Sequence, residues 1–125
     1  DHAPHAEEEK DVEFCCAPNG FSGLETSLAA VITHTYKTGI LTLDEIVNLM
    51  SVKPAQIMGV DAGVLEVGKA ADITVFSTDE EWTVDRNQFY TKGKTSPFDG
   101  MTLTGKAKLT VVNGEVVMKE GVVTQ

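Results

Sequence analysis

The 125-residue sequence predicts an α+β chain, helices first and strands after. Three observations predict it. Between residues 23 and 59, apolar side chains recur at helical spacing between helix start and stop signals. From about residue 63 the pattern changes to β-rich runs. Asn113-Gly114 then stands between two β-branched stretches, the strongest short-range signal for a β-hairpin with a type I′ turn.

The chain opens DHAPH: one carboxylate (Asp1) and two imidazoles (His2, His5), with Pro4 stiffening the backbone between them. Residues 6–14 (AEEEKDVEF) carry charge without apolar periodicity and read as an exposed, mobile loop that could serve as a lid. APNGFSG at 17–23 is turn chemistry, with Pro18, Asn19, Gly20 and Gly23. The first helix is expected to start at Ser22, because Ser22 and Glu25 have capping-box spacing. Leu24, Leu28, Val31, Ile32 and Thr35 carry its periodicity, and Gly39 is its stop. A second capping box, Thr42 with Glu45, starts the next helix, with Leu43, Ile46, Val47 and Met50 on its apolar face. Ser51 is placed as the cap of a third, short helix with Pro54 in its first turn and Gly59 after it.

GVLEVGKAADITVFSTD holds two β-rich runs around Gly68, and in the second Ile73 and Val75 alternate with Thr74 and Phe76. Gly63, Gly68 and Asp72 are read as turn residues of this β layer. An extended piece is expected at Trp82–Val84, then a long scaffold loop through KGKTSPFDG, then the hairpin KLTVVNGEVVMKEGVV. Three or four short strands are few for a sheet that must cover its faces and edges. The β part therefore reads as a piece of something larger.

Net charge is −9, from 19 acidic and 10 basic residues. That argues against nucleic acid, whose phosphates need a basic surface, and leaves no basic stripe for anionic lipid. No apolar run approaches the roughly 18 residues of a membrane span. The polar start offers no signal-peptide core, so the expected setting is the cytoplasm, and without an initiator Met the first residue is expected to be a processed or truncated end. Cys15 and Cys16 are adjacent, with Cα atoms about 3.8 Å apart, short of the roughly 4.4–6.8 Å of an unstrained disulfide. They read as two reduced thiols. A zinc site built from the pair alone is not expected, since no other cysteine exists to complete it.

Taken as residue types, Asp1 could serve as metal ligand or general base and His2 or His5 as metal ligand or anion-binding group, and Asp1 and His5 across a proline-containing turn could converge on one ligand. They could equally be a polar terminus. His34, between Thr33 and Thr35 in an amphipathic helix, reads as a helix-surface or packing residue.

DHAPH, a charged loop, CAPNGFSGLET and a helix, followed by KPAQIMGV, GVLEVGKAADITVF, KGKTSPFDG and TVVNGEVV, together resemble the C-terminal portion of dihydroorotase. The resemblance is to the bacterial long-loop type within the amidohydrolase superfamily, and it runs over nearly the whole chain. It implies an α/β fold: residues 1–60 as the end of a (β/α)8 TIM barrel, with active-site loop and helices, and residues 61–125 as the C-terminal share of a β-sandwich. It implies reversible zinc-dependent cyclisation of N-carbamoyl-L-aspartate to dihydroorotate in pyrimidine biosynthesis. Two zinc ions per site are implied, with Asp1 as metal ligand and proton carrier. His5 would hold the substrate carboxylate, and the backbone of Asn19 and Gly20 the ring edge. The family has a bulky residue where Asn19 stands. The implied partners are the small-molecule substrate, the N-terminal part of the same enzyme in a homodimer, and aspartate transcarbamoylase. The family's His-x-His and other metal ligands do not occur in these residues, so the isolated chain is expected to be inactive. Alternative readings are a dihydropyrimidinase- or allantoinase-type cyclic amidohydrolase, and a non-catalytic dihydroorotase-like subunit that scaffolds aspartate transcarbamoylase.

Overall fold

The computed structural model describes residues 1–124. Its helices come first: α1 (Glu7–Lys10), α2 (Leu24–Val31), α3 (Leu43–Val47) and α4 (Lys53–Met58). Its strands follow: β1 (Ile73–Thr83), β2 (Thr102–Val112), β3 (Glu115–Lys119) and β4 (Val122–Val123). They form one antiparallel sheet in sequential order. This is the α+β arrangement the sequence predicts.

The Thr42 capping box forms as expected. Thr42 Oγ1 accepts from the Glu45 N–H at 3.3 Å, and the Glu45 carboxylate accepts from the Thr42 N–H at 2.8 Å. The backbone bond, and after it the Thr42 hydroxyl, hold the Glu45 carboxyl below the ordinary glutamate range. The expected break at Ser51 does not occur. Wide π-type turns over Asn48–Val52 join α3 to α4 without interruption, and Ser51 caps nothing. The widened segment runs up to Pro54, which has no N–H to donate and whose ring would crowd a regular preceding turn. A second π-type segment, Ile32–Tyr36, extends α2.

β1 merges the run at Ile73 with the expected piece at Trp82, with register shifts at Val75/Phe76 and Ser77/Glu81. GVLEV, expected as β-rich, is not a strand. It is a short run between Gly63 and Gly68, both in the left-handed region, and no strand pairs with it among the described residues. Leu65 and Val67 stay exposed. The hairpin turn is type I′, with φ of 50° at Asn113 and 82° at Gly114. Asp72 accepts from the Asn113 N–H at 2.8 Å, and the Ala71 carbonyl from the Gly114 N–H at 3.0 Å. The turn is thereby tied to the start of β1.

α2 packs on β2 at Gly105, where a Cβ would lie 2.9 Å from the Cβ of fully buried Ile32. Thr33 Oγ1 accepts from the Thr104 N–H at 2.8 Å, and the Trp82 indole donates to the Gly105 carbonyl at 2.9 Å. Ala29, Val84, Phe89 and Leu103 form the core, with Trp82 and Phe98 against it. Helical and β segments therefore share apolar burial, and α2 is a fixed base for the loop that precedes it.

Candidate active site

Residues 1–5 lie as a strip between two loops, 20–23 and 91–95. The Ala3 N–H donates to the Phe21 carbonyl at 2.9 Å. Close approach is possible because glycines line both sides. A Cβ on Gly23 would overlap the Asp1 carbonyl, one on Gly20 would lie 2.6 Å from Ala3 Cβ, and one on Gly93 would lie 2.6 Å from Pro4 Cβ. Ser22, buried, joins the two loops: its N–H donates to the Thr95 carbonyl at 2.9 Å and its hydroxyl donates to the Gly93 carbonyl.

That hydroxyl bond overturns the capping box read from Ser22 and Glu25. The Glu25 carboxylate accepts from the backbone N–H groups of Tyr90 (2.9 Å) and Thr91 (3.0 Å). The helix starts at Leu24, two residues after Ser22, with Gly23 as its N-terminal flank. The ring of His2 supplies the missing acceptor. Its Nδ1 lies 3.2 Å from the Gly23 N and 3.3 Å from the Leu24 N, both of which donate to it. Two N–H groups left open by any helix start are satisfied this way.

Residues 6–14, expected as a mobile loop, begin with the helical turn α1. The Glu9 carboxylate accepts from the Ala6 N–H at 3.0 Å, and Glu7, Glu8 and Glu9 in the first turn with Lys10 in the last suit the helix dipole. This turn orients Lys10. Its Nζ donates to the carbonyls of Pro18 at 2.7 Å and Gly20 at 3.0 Å. His5 Nε2 donates to the carbonyl between them, that of Asn19, at 2.9 Å. Three consecutive carbonyls of the 18–20 loop are thus held by side chains of residues 5–10. The N–H groups of Asn19 and Gly20 find no acceptor among the described residues. Gly20 takes a φ of 115°, which a side chain would resist.

Of the sequence-predicted site residues, the structure joins His5, Asn19 and Gly20 in this unit. Asp1 is exposed at the far end of the same strip, and among the described residues its carboxylate accepts only the His2 N–H, at 2.7 Å. On the other face of His5, Nδ1 lies 3.6 Å from the Glu9 carboxylate, an ion pair when the ring is protonated. An open groove of about 600 Å³ runs beside His5, Glu7, Glu8 and Lys92. Lys94, read as scaffold, donates to the Phe89 carbonyl and is scaffold in that sense. His34 is exposed on its helix. The role of His2 at the helix start and that of Lys10 in the loop were not legible in the sequence. Both act on backbone groups distant in sequence, which no local spacing signals.

These residues do not by themselves fit a two-zinc centre. Asp1 offers one carboxylate, His2 Nδ1 is engaged by the start of α2, and His5 Nε2 is engaged by Asn19. The one group of three metal-ligating side chains among the described residues is Glu13, Cys15 and Cys16, which shares no residue with Asp1 or His5.

The amidohydrolase family model matches residues 17–117. The chain belongs to the amidohydrolase family. A dihydroorotase from Acetivibrio thermocellus is 48% identical over 122 residues, 98% of this chain and 29% of that protein. One from Clostridioides difficile is 46% identical over 94% of this chain and 27% of its own length. Among solved structures, an L-hydantoinase (dihydropyrimidinase) from Arthrobacter aurescens aligns with a TM-score of 0.84 and 42% identity, over 89% of this chain and 25% of that one. A D-hydantoinase from Thermus sp. aligns at 0.89 and 25% identity, over 99% and 28%. The amidohydrolase chain thus spans less than a third of the length of the relatives it matches. A match over 122 of 125 residues leaves out three, fewer than the 16 that precede the family match at Ala17, so the likeness to the A. thermocellus protein extends ahead of that match.

Proposed function

We propose that this chain is the C-terminal portion of a dihydroorotase, which interconverts N-carbamoyl-L-aspartate and dihydroorotate in pyrimidine synthesis in the cytoplasm. On this reading residues 1–60 close a (β/α)8 barrel and residues 61–125 supply strands to a β-sandwich. Active sites of such barrels sit at the C-terminal ends of their strands, where the DHAPH strip would then stand. Asp1 would be one carboxylate ligand of a zinc centre whose other ligands lie outside these residues.

The observation that carries the reading is the unit that His5, on one strip with Asp1, forms with Asn19 and Gly20 of the 18–20 loop. In ring opening, water adds to the ring carbonyl and the C–N bond breaks. The Asp1 carboxylate takes the proton of the attacking water and delivers it to the departing ring nitrogen. His5, fixed through Nε2, donates from Nδ1 of its protonated ring to the substrate carboxylate, which replaces Glu9 there. The unsatisfied N–H groups of Asn19 and Gly20 donate to acceptors on the ring edge. Two copies of the complete enzyme, and aspartate transcarbamoylase, are its proposed partners.

A second reading, a hydantoinase, is favoured by the 42% identity to the A. aurescens protein. Hydantoin and dihydrouracil rings lack the carboxylate that His5 would hold. The test is kcat/KM of the complete enzyme for dihydroorotate against dihydrouracil and hydantoin. Dihydroorotate preferred at least about tenfold, the worth of one charged hydrogen bond, supports the proposal. Preference for the uncharged rings overturns it.

A further inference from the structure

The turn that joins α1 to the 18–20 loop carries a cluster that the proposed chemistry does not use. Glu13 accepts from the N–H groups of Cys16 (2.8 Å) and Ala17 (3.0 Å) through its backbone carbonyl, and this closes residues 13–16 into a tight turn. The turn brings the thiols of Cys15 and Cys16 and the Glu13 carboxylate to one place, with one donor atom from each within 4.8 Å of the others. All three side chains are exposed, and both cysteines are free.

The spacing is that of a coordination sphere. A tetrahedral zinc with Zn–S bonds of about 2.3 Å sets its two sulfurs about 3.8 Å apart, and sulfur and carboxylate oxygen about 3.6 Å apart. The Cys15 and Cys16 sulfurs are 3.8 Å apart, and Cys15 Sγ is 4.0 Å from the Glu13 carboxylate. The sulfurs cannot relieve this proximity easily as a disulfide, because bridging adjacent residues strains the backbone. The sequence supplies two thiols; the fold of the turn adds the carboxylate that two thiols alone lack.

We propose that Glu13, Cys15 and Cys16 form a surface site for a thiophilic divalent cation of the zinc or cadmium class. The cation enters as each thiol gives up its proton to solvent, so two protons are released and two metal–sulfur bonds form, with the carboxylate third and water in the fourth position. Cys16 is two residues from Pro18, whose carbonyl Lys10 holds. Occupancy therefore stiffens the segment that leads into the proposed substrate loop. The site does not depend on the dihydroorotase reading, since the donors stand apart from Asp1 and His5.

The test is titration of the complete protein with Cd²⁺, read by the near-ultraviolet thiolate-to-metal absorption and by proton release. Wild type is expected to bind one more equivalent than C15S/C16S, with the band and two released protons, and bound Cd²⁺ is expected to protect both thiols from alkylation. E13Q is expected to bind at least about tenfold more weakly, since even outer partners of metal ligands are worth 10–100-fold. Equal uptake by wild type and C15S/C16S, or unprotected thiols at saturating Cd²⁺, overturns the site. Unchanged affinity in E13Q overturns the three-donor arrangement. Alkylation protection is read on the wild type, so the outcome does not depend on how the variants fold.

Discussion

His2 and Lys10 hold backbone groups that lie from 8 to 22 positions away in the chain. The imidazole of His2 stands in for a side-chain N-cap, a role worth about 1 kcal/mol. His2→Ala is expected to lower thermal stability by that amount, and His2→Asn, with a good capping side chain, to recover most of it. Equal melting temperatures for wild type and His2→Ala would remove the cap from the account. Lys10 makes two charge-assisted bonds to the loop whose N–H groups are proposed to meet substrate. Lys10→Met keeps the length of the side chain and loses both. We expect KM for dihydroorotate to rise about tenfold or more, the scale of one or two charged hydrogen bonds, with kcat within a few-fold of wild type. A kcat loss at unchanged KM would contradict a positioning role. Neither role was legible in the sequence. His2 and His5 read as alternatives for the same chemistry, and the fold divides them between helix start and loop clamp.

At the scale of elements, two capping boxes with the same spacing had opposite outcomes. Thr42 and Glu45 find only each other, on an exposed helix start, so local pattern decides. Ser22 and Glu25 face the 89–95 loop, where backbone carbonyls and N–H groups compete for them, and tertiary bonds prevail. The hairpin was fully legible because type I′ geometry is a property of Asn113-Gly114 itself. GVLEV was not, because a strand needs a partner and none is present among the described residues. Thr42→Ala is expected to destabilise by about 1 kcal/mol, seen as a lower urea midpoint at unchanged m-value. Glu45 carries a pH signature. Its folded carboxyl lies below the ordinary range, so its contribution is present above that range and lost as pH falls through the lowered value. Glu45→Gln is expected to flatten that part of the acid limb. An unaltered limb would mean the bond is absent in solution.

At the scale of the molecule, Lys108 on β2 pairs with Glu80 on β1 and with Glu120 after β3. The Lys108 hydrogen bond is the main cause that lowers the Glu80 carboxyl, and the Glu80 bond is the main cause that raises the Lys108 ammonium. The two shifts describe one interaction from both ends. The Glu80 share of stability is lost as pH falls through its lowered value, and the Lys108 share as pH rises through its raised one. Lys108→Met is expected to weaken both limbs of the pH–stability profile and their salt sensitivity. A profile parallel to wild type would exclude the pair as a determinant. The overall α+β order was legible because helical and β periods fall in separate halves of the sequence. The joining of His5 to Asn19 and Gly20 was not, because it depends on how glycines let the 1–5 strip nest between two loops.

That nesting places Asp1 at the end of the strip from which His5 clamps the proposed substrate loop, and in the proposed reaction its carboxylate carries the proton in ring opening. The most direct measurement is kcat/KM for dihydroorotate in the complete enzyme with Asp1→Asn, alongside zinc content and melting temperature. The expected result is a fall of about 10²–10⁴-fold, the worth of a positioned general base, in a folded protein. Near-wild-type turnover by Asp1→Asn would contradict it.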